Sequence, residues 1–334
     1  MNRITIKDMA AHFHISTAAV SKALNDLPGV SEDLRREIKD FAKANNYIPN
    51  MFGRGLKGNQ LKVIGLIISD NTNPVYSRQI KSIESEANKF GYNIVLCNSD
   101  ESIEKEKLHL ETMVQKNVNG IIAVPSDSRE YKHFQQVMDM GIPLVFLNRC
   151  VYNCNASVFK ADHRKGAYLA VEYLIKKGYK KILHCTVDQP VSTVYEKIQG
   201  FREALEANGL SFSEDDIYYS KTFDRQAIYK EMLSVLRNKN SYNAIFAFND
   251  SLALSVIKAA NELGVNIPND IAVLGYDESE YNEICYPPLS SVAQDVALFG
   301  KDAVDCILRK ISGEDNASEI KEYLPLGIIE REST

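Results

Sequence analysis

Apolar residues in the first fifty positions recur with a helical period. Ile6, Met9, Ala10 and Phe13 fall at i, i+3, i+4 and i+7, one stripe of a short helix. Thr5 ahead of it, with Asp8 three residues on, reads as a capping box. After His14-Ile15, Ser16 reads as the cap of a second helix with Val20, Ala23 and Leu24 inward. Thr17, Ala18, Ser21 and Lys22 take the opposite face. Ser31 reads as the cap of a third helix whose inner face is Leu34, Ile38, Phe41 and Ala42. Two short helices joined by a tight turn and braced by a third predict an all-α helix-turn-helix head. A solvated helix usually carries Glu/Lys pairs. This outward face is small and polar, and fits a major groove about 12 Å wide.

From residue 61 the period changes. Short apolar runs at Val63–Ile68, Asn93–Cys97, Ile121–Val124 and Leu144–Phe146 predict strands, separated by helices around 75–90, 102–116 and 129–140. A second series follows, with strands at Lys181–Cys185, Ala244–Phe248 and Ile271–Leu274 and helices around 164–177, 193–208, 225–237 and 250–263. Gly91, Gly178, Gly209 and Gly264 read as residues that close helices. Near-continuous apolar strands alternating with helices mean parallel sheets covered on both faces, here two Rossmann-like lobes of an α/β core. Such lobes bind ligands beyond the carboxyl ends of their strands. The polar residues stand at those ends: Asn71, Asn73 and Tyr76, then Asn98 and Asp100, then Asn148-Arg149 and Asp162, and in the second series Asn249-Asp250 and Tyr276-Asp277. Any one of them reads as a helix cap; the set reads as one cleft.

Charge sharpens the division. Residues 1–60 carry a net charge of +3 within a chain of net −5, as expected when the head alone meets phosphate. Residues 51–60, MFGRGLKGNQ, read as a linker. No run has the length of a membrane span, and the N-terminus lacks a secretory pattern, so the expectation is the cytoplasm, with scattered cysteines acting as small apolar residues. No phosphate-binding glycine motif and no triad or metal spacing appears, so neither catalysis nor a cofactor or metal is expected.

The runs Thr5-Ile6-Lys7-Asp8-Met9-Ala10, Ser16 to Asn25, Val30-Ser31 and Asn46-Tyr47-Ile48-Pro49-Asn50 closely resemble the lactose-repressor (LacI/GalR) family, and the similarity runs through the whole chain. The resemblance implies a helix-turn-helix domain over 1–50, a hinge over 51–60, and a periplasmic-binding-protein-like core over 61–334. Lobe 1 would take about 61–162 and 294–325, and lobe 2 about 163–293. It implies that Thr17, Ala18 and Lys22 read bases, that Ser16, Ser21 and Asn25 steady the helix on phosphates, and that Thr5 and Ser31 cap helices at the backbone. In the hinge, Leu56 would wedge into the minor groove between Arg54 and Lys57. Gly53 and Gly55, where relatives carry Ala or a small polar residue, each lower helix stability by roughly 1 kcal/mol. In the core it implies effector contacts from Asn73, Tyr76, Asn148, Arg149, Lys197 and Asp277. Asp162 and Asn249 join them from their places near the strand ends. Phe223, Tyr76 and Tyr195 supply stacking surface in a chain without Trp. Lys197 stands where relatives carry Arg, and Asn148-Arg149 replaces an Asp-Arg pair. The expected protein is a homodimeric repressor of a pseudo-palindromic operator in double-stranded DNA. Its expected effector is a sugar or sugar phosphate, with a nucleobase or nucleoside as the alternative.

Overall fold

The computed structural model describes residues 4–45, 47, 62–238, 242–314 and 317–334. The chain divides into two compact units, Met1–Leu61 and Lys62–Thr334. In the first, helices α1 (Ile6–His12), α2 (Thr17–Leu24) and α3 (Glu32–Ala44) close on a small core of Met9, Ala10, Val20, Ala23, Ile38 and Ala42. The capping box forms: Thr5 N donates to Asp8 Oδ2 at 2.8 Å, and Asp8 N donates to Thr5 Oγ1 at 3.3 Å. Ser16 caps α2 by accepting from Ala19 N. Ser31 occupies the cap position of α3 without a side-chain capping bond, so its expected role shrinks to an extended backbone entry. The hinge residues Arg54, Leu56 and Lys57, with Gly53 and Gly55, lie outside the described residues.

The second unit contains two six-stranded sheets. Lobe 1 holds β1 (Val63–Ile68), α4 (Pro74–Lys89), β2 (Asn93–Asn98), α5 (Ile103–Gln115), β3 (Gly120–Ala123), α6 (Lys132–Asp139), β4 (Leu144–Leu147) and β5 (Ser157–Ala161). Lobe 2 follows with α7 (His163–Lys176), β6 (Ile182–Val187), α8 (Ser192–Ala207), β7 (Ile217–Ser220), α9 (Arg225–Asn238), β8 (Ala244–Ala247), α10 (Asp250–Leu263), β9 (Ala272–Asp277) and β10 (Ser290–Ala293). The chain then returns to lobe 1 for α11 (Val296–Ser312) and β11 (Ile320–Tyr323), and ends in lobe 2 with β12 (Gly327–Ile329). The sheet orders are β11-β5-β4-β3-β1-β2 and β12-β10-β9-β8-β6-β7. The pairing is parallel except that β12 runs antiparallel to β10, a departure from the all-parallel expectation at one edge.

The strands absent from the sequence reading are β5, β7, β10, β11 and β12. Several are short and carry polar residues whose partners come from elsewhere in the fold. Ser290 Oγ meets Thr334, Ser291 Oγ donates to Asp250 at 2.7 Å, and Lys160 of β5 pairs with Glu196 and Glu322. Helix α11 has the ordinary amphipathic spacing, with Val296, Phe299, Ala303, Val304 and Ile307 buried in the lobe 1 core. Gly200 lets α8 lie directly on α7, since a Cβ there would stand 2.0 Å from Arg164 O. That close approach brings the α8 side chains to the seam between the lobes.

Candidate nucleic-acid face and ligand cleft

In the head, Thr17, Ala18 and Lys22 are exposed on α2 and Ser21 is half-buried. Lys22 is the one cation of α2. Asn25 Nδ2 donates to Ser21 O at 2.7 Å, closing the end of the helix. The turn that follows is tied to α3, because Arg35 Nη2 donates to Leu27 O at 2.9 Å and Lys39 Nζ to Asp26 Oδ1 at 2.6 Å. That pair and its hydrogen bond hold the exposed Asp26 carboxyl below its usual range. Gly29 sits at φ +101°, and a Cβ there would come within 3.3 Å of Lys22 Nζ. A small, polar, singly cationic face is thus held at fixed pitch by its caps and its turn.

In the core, the carboxyl ends of both sheets face a cleft of about 780 Å³. Asn73, Tyr76, Asn148 and Arg149 line it from lobe 1; Lys197, Phe223, Asn249 and Asp277 line it from lobe 2. The cap reading also holds for two of these: Asn73 accepts from Val75 N and Asn249 from Leu252 N. Asp162 is not among the lining residues. Its carboxylate caps α7 by accepting from Lys165 N at 2.8 Å. Tyr195 faces an adjoining pocket with Tyr219 and Arg202 rather than the cleft.

The sequence reading missed Glu101, His163, Thr193 and Arg225, which also line the cleft. Arg149 Nη1 and Nη2 donate to the two oxygens of Glu101 at 2.6 and 2.8 Å, a bidentate pair. Nothing local in the sequence links these two positions. His163 Nε2 lies 3.3 Å from Asn148 O, and a carbonyl can only accept, so Nε2 carries the proton. Burial, with Lys197 nearby, holds the His163 pKa well below its usual value. Four lining residues, Asp100, Glu101, Asn148 and Asp277, have positive φ, at +50°, +55°, +64° and +108°. Non-glycine residues hold such conformations only where the surroundings over-determine them, and they gather at ligand sites.

Lys197 Nζ donates to Phe248 O at 2.7 Å and lies 3.5 Å from the Tyr276 ring centroid. Burial pulls its pKa down to about 8, against the opposing field of Asp277. Burial likewise pushes Asp277 up to about 6, offset chiefly by Lys197. Gln294 Nε2 donates to Asp277 Oδ1 at 2.5 Å, and Arg78 Nη2 to its carbonyl at 2.8 Å. Behind this wall Asp250, buried, accepts from Ser279 N, Asn282 Nδ2 and Ser291 Oγ. Gly275 leaves room for it, because a Cβ would stand 2.2 Å from Asp250 Oδ1. Bonds also cross between the lobes: Lys160 Nζ to Glu196 at 2.5 Å, Ser192 N to Ser128 Oγ at 2.7 Å, and Arg225 Nη2 to Thr72 O at 3.1 Å. Among the described residues no group of His, Cys, Asp and Glu is placed to hold a metal ion. No described helix is long and apolar enough to cross a membrane.

Residues 171–334 match the family model of a periplasmic binding protein-like domain. The solved transcriptional regulator CelR in complex with cellobiose is 26% identical, with a TM-score of 0.75 over 99% of this chain and 100% of that one. The lac repressor bound to ONPG, at 24% identity, shares the fold with a TM-score of 0.81 over the full length of both chains. The HTH-type transcriptional repressor PurR of Vibrio cholerae is 30% identical over 98% of this chain and 97% of its own. The ribose operon repressor of Halalkalibacterium halodurans is 31% identical over 331 residues, 99% of this chain and 97% of its own. With capped helices in a helix-turn-helix head, a two-lobed cleft in the core, and repressors matched from end to end, the chain is a non-enzymatic regulator that belongs to the lactose-repressor (LacI/GalR) family of transcriptional repressors.

Proposed function

We propose that this repressor binds a pseudo-palindromic operator as a homodimer in the cytoplasm, and that a sugar or sugar phosphate seated between the lobes sets its affinity for DNA. Thr17, Ala18 and Lys22 read base edges in the major groove. Ser16, Ser21 and Asn25 contact phosphates, with Thr5 and Ser31 at the backbone. Leu56 of each hinge, flanked by Arg54 and Lys57, wedges the minor groove. One observation carries the effector reading. The cleft is lined by buried polar atoms without a hydrogen-bond partner among the described residues: Asn148 Oδ1, Arg149 Nε, His163 Nδ1 and Thr193 Oγ1. Buried donors and acceptors need partners, and a polyhydroxylated ring offers many at close spacing. Relatives named for ribose and cellobiose support the class. A nucleobase is the second reading, favoured by Phe223 at the cleft wall. Its nearest ring, Phe248, lies 6.4 Å away and tilted by 57°, which is not a parallel slot for a flat base.

Effector binding shifts the protein between two states only by the difference in its affinity for them. Bonds such as Lys160–Glu196 and Arg225–Thr72, which join the lobes, supply contacts that can differ between those states. The test is a thermal-shift screen of the full chain against sugars, sugar phosphates and nucleobases, followed by operator titration by fluorescence anisotropy with and without the best compound. A compound that raises the melting temperature and moves the operator affinity is the expected result. Stabilisation by nucleobases alone would replace the sugar reading with the second.

A further inference from the structure

Two cations stand deep in the cleft, and each faces an anion of its own chain. Arg149, 2% exposed, spends its fork on Glu101 and gives a further Nη1 hydrogen bond to Pro125 O at 3.0 Å. Lys197, also 2% exposed, is held by Phe248 O and the Tyr276 ring within the field of Asp277. The third basic group, His163, is kept neutral by burial. The floor of the cleft is therefore balanced in charge. At the rim, Lys221 and Arg225 stand among Asp70, Asp100 and Asp224, where water screens such charges to little effect.

A phosphate ester brings between one and two negative charges that must leave water. It would find both deep cations taken. To capture Arg149 it would have to displace Glu101 and strand a part-buried carboxylate beside a low-dielectric wall, which is unfavourable. Glu101 is also not free to swing aside. Its backbone is held at φ +55° by a bond from Glu101 N to Ser69 O at 3.0 Å, and its side chain is 12% exposed. An uncharged ring needs only the open donors and acceptors around it.

We propose that Glu101 is a specificity-determining residue: by occupying the Arg149 fork it reserves the cleft for an uncharged polyhydroxyl effector and turns away phosphate esters. The proposal rests on the cleft being the effector seat. The experiment is calorimetry on the full-length protein. D-ribose, D-xylose, D-glucose and cellobiose are titrated beside ribose 5-phosphate, glucose 6-phosphate and inorganic phosphate. The wild type should bind at least one free sugar and none of the three anions. In Glu101→Gln, which keeps the side-chain shape and removes the charge, the anions should gain roughly ten- to a hundredfold in affinity, the range of a recovered charge-assisted hydrogen bond. Adding Arg149→Gln should abolish the gain. A wild type that binds an ester as tightly as its parent sugar overturns the proposal. A Glu101→Gln variant that melts cooperatively yet gains no affinity for phosphate overturns it as well. If that variant does not fold, the wild-type contrast between sugar and ester decides. If the wild type binds neither sugars nor anions, the sugar reading of the cleft fails, and the gain for inorganic phosphate in Glu101→Gln decides the role of Glu101 by itself.

Discussion

Lys22 and Asp277 are each a single charge placed where a small displacement changes what is recognised. Lys22 is the lone cation on an exposed face of small side chains. Lys22→Ala is expected to weaken specific operator binding by roughly 1–3 kcal/mol and to relax preference at one base pair per half-site. Anisotropy titrations on matched and scrambled duplexes check this; an equal loss on both would make Lys22 a phosphate contact. Asp277 is held at φ +108° by Gln294 and Arg78, facing Lys197. Asp277→Ala removes an acceptor and leaves a buried ammonium without its counter-charge, so effector affinity should fall by about 1–3 kcal/mol. Calorimetry with the best compound of the screen reads this directly, and an unchanged dissociation constant would reassign Asp277 to the architecture of the β9 end.

At the scale of elements, Gly200 decides how close α7 and α8 can lie, and so where Lys197 and Glu196 stand. A methyl group at Gly200 would meet Arg164 O at 2.0 Å, against backbone that cannot turn aside as a side chain can. Gly200→Ala should therefore destabilise the core by about 1–3 kcal/mol or more, although alanine is the better helix former by roughly 1 kcal/mol. Chemical denaturation followed by circular dichroism tests the sign; a stabilised variant would show that the two helices have room to part. Capping worked differently at the three head helices. Thr5 and Ser16 make their side-chain bonds, while Ser31 does not. A cap sequence allows that bond, and the entry path of the chain decides whether it forms.

At the scale of the whole molecule, burial of titratable groups makes stability depend on pH. His184 lies in the lobe 2 core against Phe201 and Phe246, with centroids at 5.5 and 4.8 Å, and its Nδ1 donates to Phe246 O at 3.0 Å. Burial lowers its pKa from 6.5 to about 3. The unfolded chain takes up this proton below 6.5 and the folded one does not. The contribution of neutral His184 is therefore complete above pH 6.5 and is lost on acidification toward 3, by up to about 1.4 kcal/mol per pH unit. Asp250 acts in the opposite sense, since burial raises it from 3.8 to about 7. Its folded form keeps the proton longer, so its contribution falls as pH rises through that window. Comparing wild type with His184→Gln isolates the histidine. The stability of the variant relative to wild type should rise steadily as pH falls from 6.5 to 4. A difference that stays flat across that range would mean that His184 is not held neutral.

Helix periods, caps and the alternation of apolar runs with amphipathic stretches were legible along the chain, because each depends on residues within one or two turns of one another. Val63–Ile68 is a strand from first residue to last, and Asp250–Leu263 is a helix closed by Gly264 in the left-handed region. The head, the two lobes and the rule that the cleft lies at the strand ends follow from such local patterns. The polar strands β5 and β10 did not show, because Ser290, Ser291 and Lys160 are tolerable inside only once Thr334, Asp250, Glu196 and Glu322 arrive to meet them. For the same reason the sequence marked Arg149 as a ligand contact but not Glu101, 48 residues away, which takes up its fork. The identity of the polar residues at the cleft was written in the sequence. Which of their charges remain open to a ligand was decided by the tertiary structure alone, since a buried charge is set by the partner folded against it and not by its neighbours in the chain.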